Sequence, residues 1–402
     1  MSAPRYLVLT LASLALALLG VAAFNYLVDP YLVFDQARRA GFNQVKPAAD
    51  VREWLMKAYE VPRQNPRTVV LGSSRSDIGL NPESPAWPRQ WQPVYNLSMA
   101  GSNLGLNLSY LKHLLQAHGS QSALRTVVVG LDFESFLEQP GRSPSMGPPE
   151  LEATSRLQAM AASSVLARQR VWQDQAEALL TLDAVIDSAS AVLANRASSV
   201  GVDLAANGRF SDGQLQQWTR NDGVGQLFKQ KNLDTLKGFK PPRRSLDPGD
   251  GSLMHGQADI AELFKLAGQR QLQLILLIQP SHVSRLEMLD AMGYWAELER
   301  WKQLLAKLSD AARSSGVDVT LWDFNGYEPE NLEAMPPAAQ ARTPLRWYWD
   351  PVHYRPAMGD RLVETMAAGS AGNGGSLVAP LTSATLEARL QRVRADRAAY
   401  RA

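Results

Sequence analysis

Apolar and polar positions change rhythm several times along these 402 residues, and each change predicts an element. An uncharged run rich in Leu, Ala and Val fills residues 6–28, between Arg5 and Asp29. As a helix rising about 1.5 Å per residue, it covers the roughly 30 Å hydrocarbon core of a bilayer. Pro30 then stops it. The run is longer than the core of a signal peptide, so an uncleaved anchor is expected, although Val21-Ala22-Ala23 weakly resembles a cleavage site. No later segment reaches spanning length, so the rest is expected to fold as a soluble body beyond the membrane.

A helical stretch near 51–59 is followed by apolar runs at 68–71, 93–97 and 126–129, which read as short buried strands. Between the last two, Leu104, Leu108, Leu111 and Leu115 recur at helical spacing. Strand, helix, strand with short turns implies a parallel sheet with crossover helices. The rhythm then breaks. Residues 151–197 are helical and rich in Ala, Leu and Gln, and residues 201–256 carry Gly, Asp and Pro with little periodicity. It resumes with a helix at 258–269, a strand at 272–278, a helix at 294–314 and a strand at 317–324. Five strands in this order predict an α/β fold, a three-layer αβα sandwich around a mostly parallel, flavodoxin-like sheet. Ligands of such sheets bind beyond the carboxyl ends of the strands. The expected organisation is an anchor at 1–30, the first part of the α/β domain at 31–140 and a mostly helical cap at 141–257. The second part of the domain follows at 258–370, then a linker and an amphipathic C-terminal helix at 371–402.

Charge and composition narrow the function. Basic and acidic residues number 41 and 39 and are scattered, so no nucleic-acid partner is expected. The chain has no cysteine, which excludes disulfides, Cys-ligated zinc and a Cys nucleophile. No His/Asp/Glu cluster shows ligand spacing and no Gly-rich phosphate loop is present, so neither a metal nor a cofactor is expected.

Three strand ends carry residues able to do chemistry. The first is Gly72-Ser73-Ser74-Arg75, where a serine becomes a nucleophile only if a base is near. The second is Asn96-Leu97-Ser98-Met99-Ala100-Gly101-Ser102-Asn103, where the Gly101 N–H or the Asn103 amide is placed to stabilise an oxyanion. The third is Trp349-Asp350-Pro351-Val352-His353-Tyr354. An Asp three residues before a His can hold one ring nitrogen and leave the other to take a proton from serine. His282, past the strand at 272–278, is placed to face the same cleft as a substrate-binding residue or alternate base. Arg75 is placed to pair with an anionic substrate or with Asp132. Trp322, Trp347, Tyr348 and Trp349 read either as sugar-stacking residues or as packing.

The order Gly-x-Ser, Asn…Gly, Asp-x-x-His resembles the SGNH (GDSL-like) hydrolase superfamily. The resemblance implies Ser74 as nucleophile, Gly101 as an oxyanion donor, and Asp350 and His353 as the acid and base of a triad. It is nearest to the membrane-anchored branch that includes the alginate O-acetylation and D-alanyl-lipoteichoic-acid proteins. Val28-Asp29-Pro30-Tyr31, the turn at 72–75, Gly130-Leu131-Asp132 and the segment 350–356 also look like a family of anchored bacterial proteins. One block departs: where the superfamily supplies an Asn to the oxyanion hole, this chain has Asp132, which as an anion is no donor. Either Asn103 substitutes or the hole is weak, and spacing favours Ser74 over Ser73.

The resemblance implies an extracytoplasmic serine esterase or O-acetyltransferase acting on a cell-envelope or secreted polysaccharide or acylated glycan. Its anchor would be single-pass in a bacterial inner membrane, with the main domain periplasmic and an integral-membrane acyltransferase as a partner. The alternative is a non-catalytic anchored protein that binds glycan or scaffolds a polysaccharide export or modification complex.

Overall fold

Aliphatic runs buried on both faces suit a parallel sheet enclosed by helices, and the Val/Leu-rich segments fold that way. The computed structural model describes residues 3–138, 147–197, 201–239, 241–247, 255–370 and 378–402. Strands β1 (Thr68–Leu71), β2 (Val94–Asn96), β3 (Thr126–Leu131), β4 (Gln273–Ile278) and β5 (Val319–Asp323) are all parallel, in the order β2-β1-β3-β4-β5. Val70 lies beside Asn96 and Val128, and Val128 beside Ile275.

In chain order, α1 (Ala3–Val28) and α2 (Ala49–Glu60) precede β1, α3 (Ser74–Gly79) follows it, and α4 (Leu104–His118) joins β2 to β3. Next come α5 (Pro148–Ala161), α6 (Gln169–Leu180), α7 (Leu182–Ala194), α8 (Gly213–Asp222) and α9 (Val224–Gly238). The last are α10 (His255–Arg270), α11 (Val283–Ala291), α12 (Trp295–Ser314), α13 (Pro356–Ser370) and α14 (Ser383–Arg401). This is the expected α/β architecture. On one sheet face Val70, Val128, Ile275, Leu277 and Trp322 share an apolar core with Met358, Leu362 and Met366 of α13. α4 packs on α10, and α12 on β5 and α14. The apolar stripe Leu386, Leu390 and Val393 of α14 is buried, while most of the expected linker before it lies outside the described residues.

The chain divides into two units in places the hydrophobic pattern does not mark. One comprises Met1–Gln64, Gly147–Ala206 and Phe210–Gln214; the other Asn65–Met146, Asn207–Arg209 and Leu215–Ala402. Residues 31–64, expected with the sheet, thus belong with α5–α7, and most of α8 and all of α9 belong with the sheet. A shared apolar core, in which Tyr31, Leu55, Met56 and Tyr59 pack with Ala159, Val171, Ala178 and Ala184, explains the first difference, and polar ties add to it. In the helical unit Asp174 of α6 accepts from Tyr59 of α2 at 2.9 Å and from Arg156 of α5 at 2.7 Å. At the end of α1, Asp29 accepts the Val33 N–H at 2.8 Å. The buried Lys46 ammonium donates to the carbonyls of Val28 and Asp29 at 2.9 and 2.8 Å. Those carbonyls belong to the last residue of α1 and the one after it, where no intrahelical partner exists. α1 itself is long and apolar enough to cross a membrane, with 26 residues and a mean hydropathy of 2.5.

Candidate active site

In a sheet of this order the chain leaves β1 to one side for β2 and crosses back for β3, so a crevice opens beyond the ends of β1 and β3. Gly72 turns the chain out of β1, and Ser73 caps α3, its Oγ accepting from the Arg75 N–H at 3.4 Å. The same Oγ donates to Asp132 Oδ2 at 2.5 Å, just past β3. Ser74, the next residue, points elsewhere: its Oγ lies 2.9 Å from His353 Nε2. Close packing fixes this turn from below. A Cβ on Gly130 would lie 2.1 Å from Ser76 Oγ, so only glycine lets β3 pass under α3. Ser76 in turn donates to Gln279 Oε1 at 2.8 Å. The buried Asn96 amide donates to the carbonyls of Ser76, Asp77 and Leu80, closing the far end of α3. Asn107 does the same for the carbonyl of Gly72 at 3.3 Å.

The base comes from a tight reversal of the chain at residues 347–355. The Trp349 N–H donates to the His353 carbonyl at 2.9 Å and the Arg355 N–H to that of Trp347 at 2.7 Å. Asp350 Oδ1 accepts the N–H groups of Val352 and His353 at 2.7 and 2.8 Å, and Oδ2 lies 2.6 Å from His353 Nδ1. Burial opposes ionisation of Asp350, but His353 and these hydrogen bonds outweigh it and hold the carboxyl down at about 2. A carboxylate on Nδ1 keeps the proton there and turns the lone pair of Nε2 toward Ser74. Ser74, His353 and Asp350, singled out from two separate segments, are therefore in hydrogen-bonded series.

Arg75 explains the departure at Asp132. Its guanidinium, 6% exposed, pairs with Asp132 Oδ1 at 2.8 Å and donates to the carbonyls of Val352 and Pro280 and to Ser281 Oγ. Asp132 also accepts from Gln279 Nε2 at 3.0 Å. Its charge is thus opposed by an adjacent cation and its oxygens are spent on protein donors. Of the two roles open to Arg75, the pairing is with Asp132. The fork also ties the ends of β1, β3 and β4 to the loop that carries His353.

No family model, curated protein or solved structure matches this chain. What the residues can do therefore rests on their geometry.

Gly101, at φ +71°, borders a pocket of about 330 Å³ together with Ser73, Ser74 and Asp132. Asn103 caps α4, its Oδ1 accepting from the Leu106 N–H at 2.9 Å, and is not among the residues that border this pocket. His282 has both ring nitrogens engaged by the protein. Its Nδ1 lies 2.9 Å from Ser284 Oγ and its Nε2 2.8 Å from the Glu333 carbonyl, and its ring packs between Phe228 and Tyr348. Burial pushes this imidazole down from its ordinary value. It packs on Phe228 of α9 and is not among the residues that border this pocket or the larger cavity at His353. Trp322, Tyr348 and Trp349 are buried, so none of the three is a sugar platform, and Trp347 is half-buried against the core. Among the described residues no group of three or more His, Asp or Glu is placed to hold a metal ion.

The main feature that sequence reasoning missed is a cavity of about 840 Å³ opening on Asp350 and His353. Its walls are Leu215, Trp218 and Asp222 of α8, and Gln226, Leu227, Gln230, Lys231 and Asp234 of α9. The spacing i, i+4, i+8 on α9 falls on polar residues, Gln226, Gln230 and Asp234, and on α8 only Leu215 and Trp218 of the wall are apolar.

Proposed function

We propose that this chain is a membrane-anchored serine esterase or O-acyltransferase of a cell-envelope or secreted polysaccharide. The observation that carries the reading is the 2.9 Å approach of Ser74 Oγ to His353 Nε2, with Asp350 behind the ring. Ser74 Oγ attacks an ester carbonyl while its proton passes to Nε2. The oxyanion is drawn to the backbone N–H groups of Ser74 and Gly101. The ester C–O bond then breaks, His353 returns the proton to the leaving alkoxide, and the acyl group stays on Ser74. A second hydroxyl, from water or a sugar, repeats the sequence and releases the serine. Asp350 orients the ring throughout and stabilises the imidazolium.

The resemblance to the SGNH superfamily supports the same chemistry. The length and apolarity of α1 support an anchor, and the periplasmic placement of the site rests on the superfamily resemblance alone. An integral-membrane acyltransferase supplying acyl groups fits an anchored enzyme of this kind.

The test uses the full-length protein in detergent, with a serine-directed fluorophosphonate and p-nitrophenyl acetate. Labelling and turnover are expected in the wild type and in Ser73→Ala, and are expected to vanish in Ser74→Ala and His353→Ala. No labelling of the wild type under any condition would leave the non-catalytic glycan-binding or scaffolding role in its place.

A further inference from the structure

The walls of the larger cavity carry the chemistry of a carbohydrate site. We propose that this cavity is a glycan subsite in which Trp218 is the platform for an uncharged pyranose ring and Gln226 and Gln230 bind its hydroxyls. The acceptor role of that sugar rests on the acyl-enzyme reading above; sugar binding itself rests on the walls alone.

Trp218 is 42% exposed, whereas Trp322 and Trp349 are 0% and 2%. An open indole face beside polar groups matches a pyranose, which has an apolar C–H face and a hydroxyl rim. The Gln side chains each carry two donors and an acceptor oxygen, so they can meet hydroxyls that both donate and accept. Phe228, on the far side of α9, is buried in the core and packs on His282, which fixes the stripe's orientation.

Charge selects the kind of sugar. Asp222, Asp234 and Asp350 line the cavity against Lys231, so a polyuronate would meet net repulsion and an uncharged chain would not. The volume, about 840 Å³, lies within the roughly 300–1,000 Å³ of small-molecule sites. Position assigns the role. Lys231 and Asp234 also border the 330 Å³ pocket that holds Ser74 and Gly101, so the two spaces meet at the triad. An acyl group on Ser74 would occupy the smaller one and the sugar the larger. A sugar hydroxyl then attacks the acyl carbon as its proton passes to His353 Nε2. The bond from the acyl carbon to Ser74 Oγ breaks, the serine recovers the proton, and the new ester is on the sugar.

The test presents the full-length Ser74→Ala protein, in detergent and unable to turn over, to an array of immobilised uncharged and uronic-acid oligosaccharides. Retention on one or more uncharged pyranose oligosaccharides is expected, weakened tenfold or more by adding Trp218→Ala and kept by Trp218→Tyr. Absence of any uncharged ligand, retention of uronates alone, or indifference to Trp218→Ala would each overturn the subsite. Fluorophosphonate labelling of the wild type separates the two readings. Labelling without a Trp218-dependent glycan removes the subsite and keeps the triad. A Trp218-dependent glycan without labelling keeps sugar binding and removes its role as acceptor.

Discussion

The loops at the strand ends and the α8–α9 wall face the same space but are built in opposite ways. In the loops, Arg75, Asp350 and His353 are buried, and each makes more than one polar contact to the protein. On α8 and α9, Trp218, Asp222, Gln226, Gln230 and Asp234 are exposed on helices held from behind by Val224 and Phe228. A proton relay needs atoms fixed to a few tenths of an ångström, which cross-linked buried groups supply. Recognition of a flexible polymer tolerates looser placement. Substitutions in the loops should therefore cost rate or folding, and those on the wall should cost affinity.

The largest expected effect would break the distinction inside the loops themselves. Ser74→Ala should lower p-nitrophenyl acetate turnover by about 10⁴-fold or more, while Ser73→Ala should stay within about tenfold. Ser73 shares Asp132 with Arg75 and Gln279, so its loss leaves that carboxylate paired. Equal losses in steady-state assays would mean that the two hydroxyls are not divided between relay and scaffold. Next comes Arg75→Ala, which strands Asp132 without its cation and cuts the ties to Val352 and Pro280. A destabilisation of about 3–5 kcal/mol is expected in chemical denaturation of the full-length chain. Arg75→Lys should recover only part of it, because a point charge cannot bridge three strand ends. A change below about 1 kcal/mol would show that the loops do not depend on the fork.

The same contrast explains what the sequence discloses. The strands were legible because a buried parallel strand is an unbroken aliphatic run, and α4 because its leucines fall at helical spacing. The Asp350–His353 contact was legible because it is local, three residues apart. Its approach to Ser74, 279 residues away, is not encoded in any spacing and entered through the order of the motifs. Asp132 was read as an obstacle because the pairing that neutralises it joins two different strand ends. Its partner Gln279 gave no signal. His282 looked available because it follows a strand, whereas the Glu333 carbonyl that occupies its ring lies 51 residues on. α8 and α9 escaped because hydrophobic periodicity marks a helix only by its buried face, and here the polar face is broad. Residues 31–64 were misplaced because Tyr31, Leu55, Met56 and Tyr59 share an apolar core with Ala159, Val171 and Ala178, and Tyr59 hydrogen-bonds Asp174, contacts too distant in sequence for a local pattern to mark.

Two smaller effects sharpen the comparison, one from each side. Asp350 has a folded value of about 2 against an ordinary 3.8. The native state therefore favours the carboxylate, so its contribution is complete above the ordinary value and is lost as pH falls through about 2. The difference corresponds to about 2–3 kcal/mol. Asp350→Asn should flatten this acid limb in a series of denaturation curves between pH 5 and 2. An unchanged limb would place the acid sensitivity elsewhere. On the wall, Gly223 joins α8 to α9 at φ +84° and ψ +159°, a region that only glycine occupies readily. A Cβ there would also lie 2.9 Å from the Ala341 carbonyl, which accepts the Val224 N–H at 2.8 Å. Gly223→Ala should cost on the order of 1–2 kcal/mol and speed limited proteolysis between the two helices. If the cut rate does not change, the corner yields without strain, and the wall is held by the burial of α9 alone.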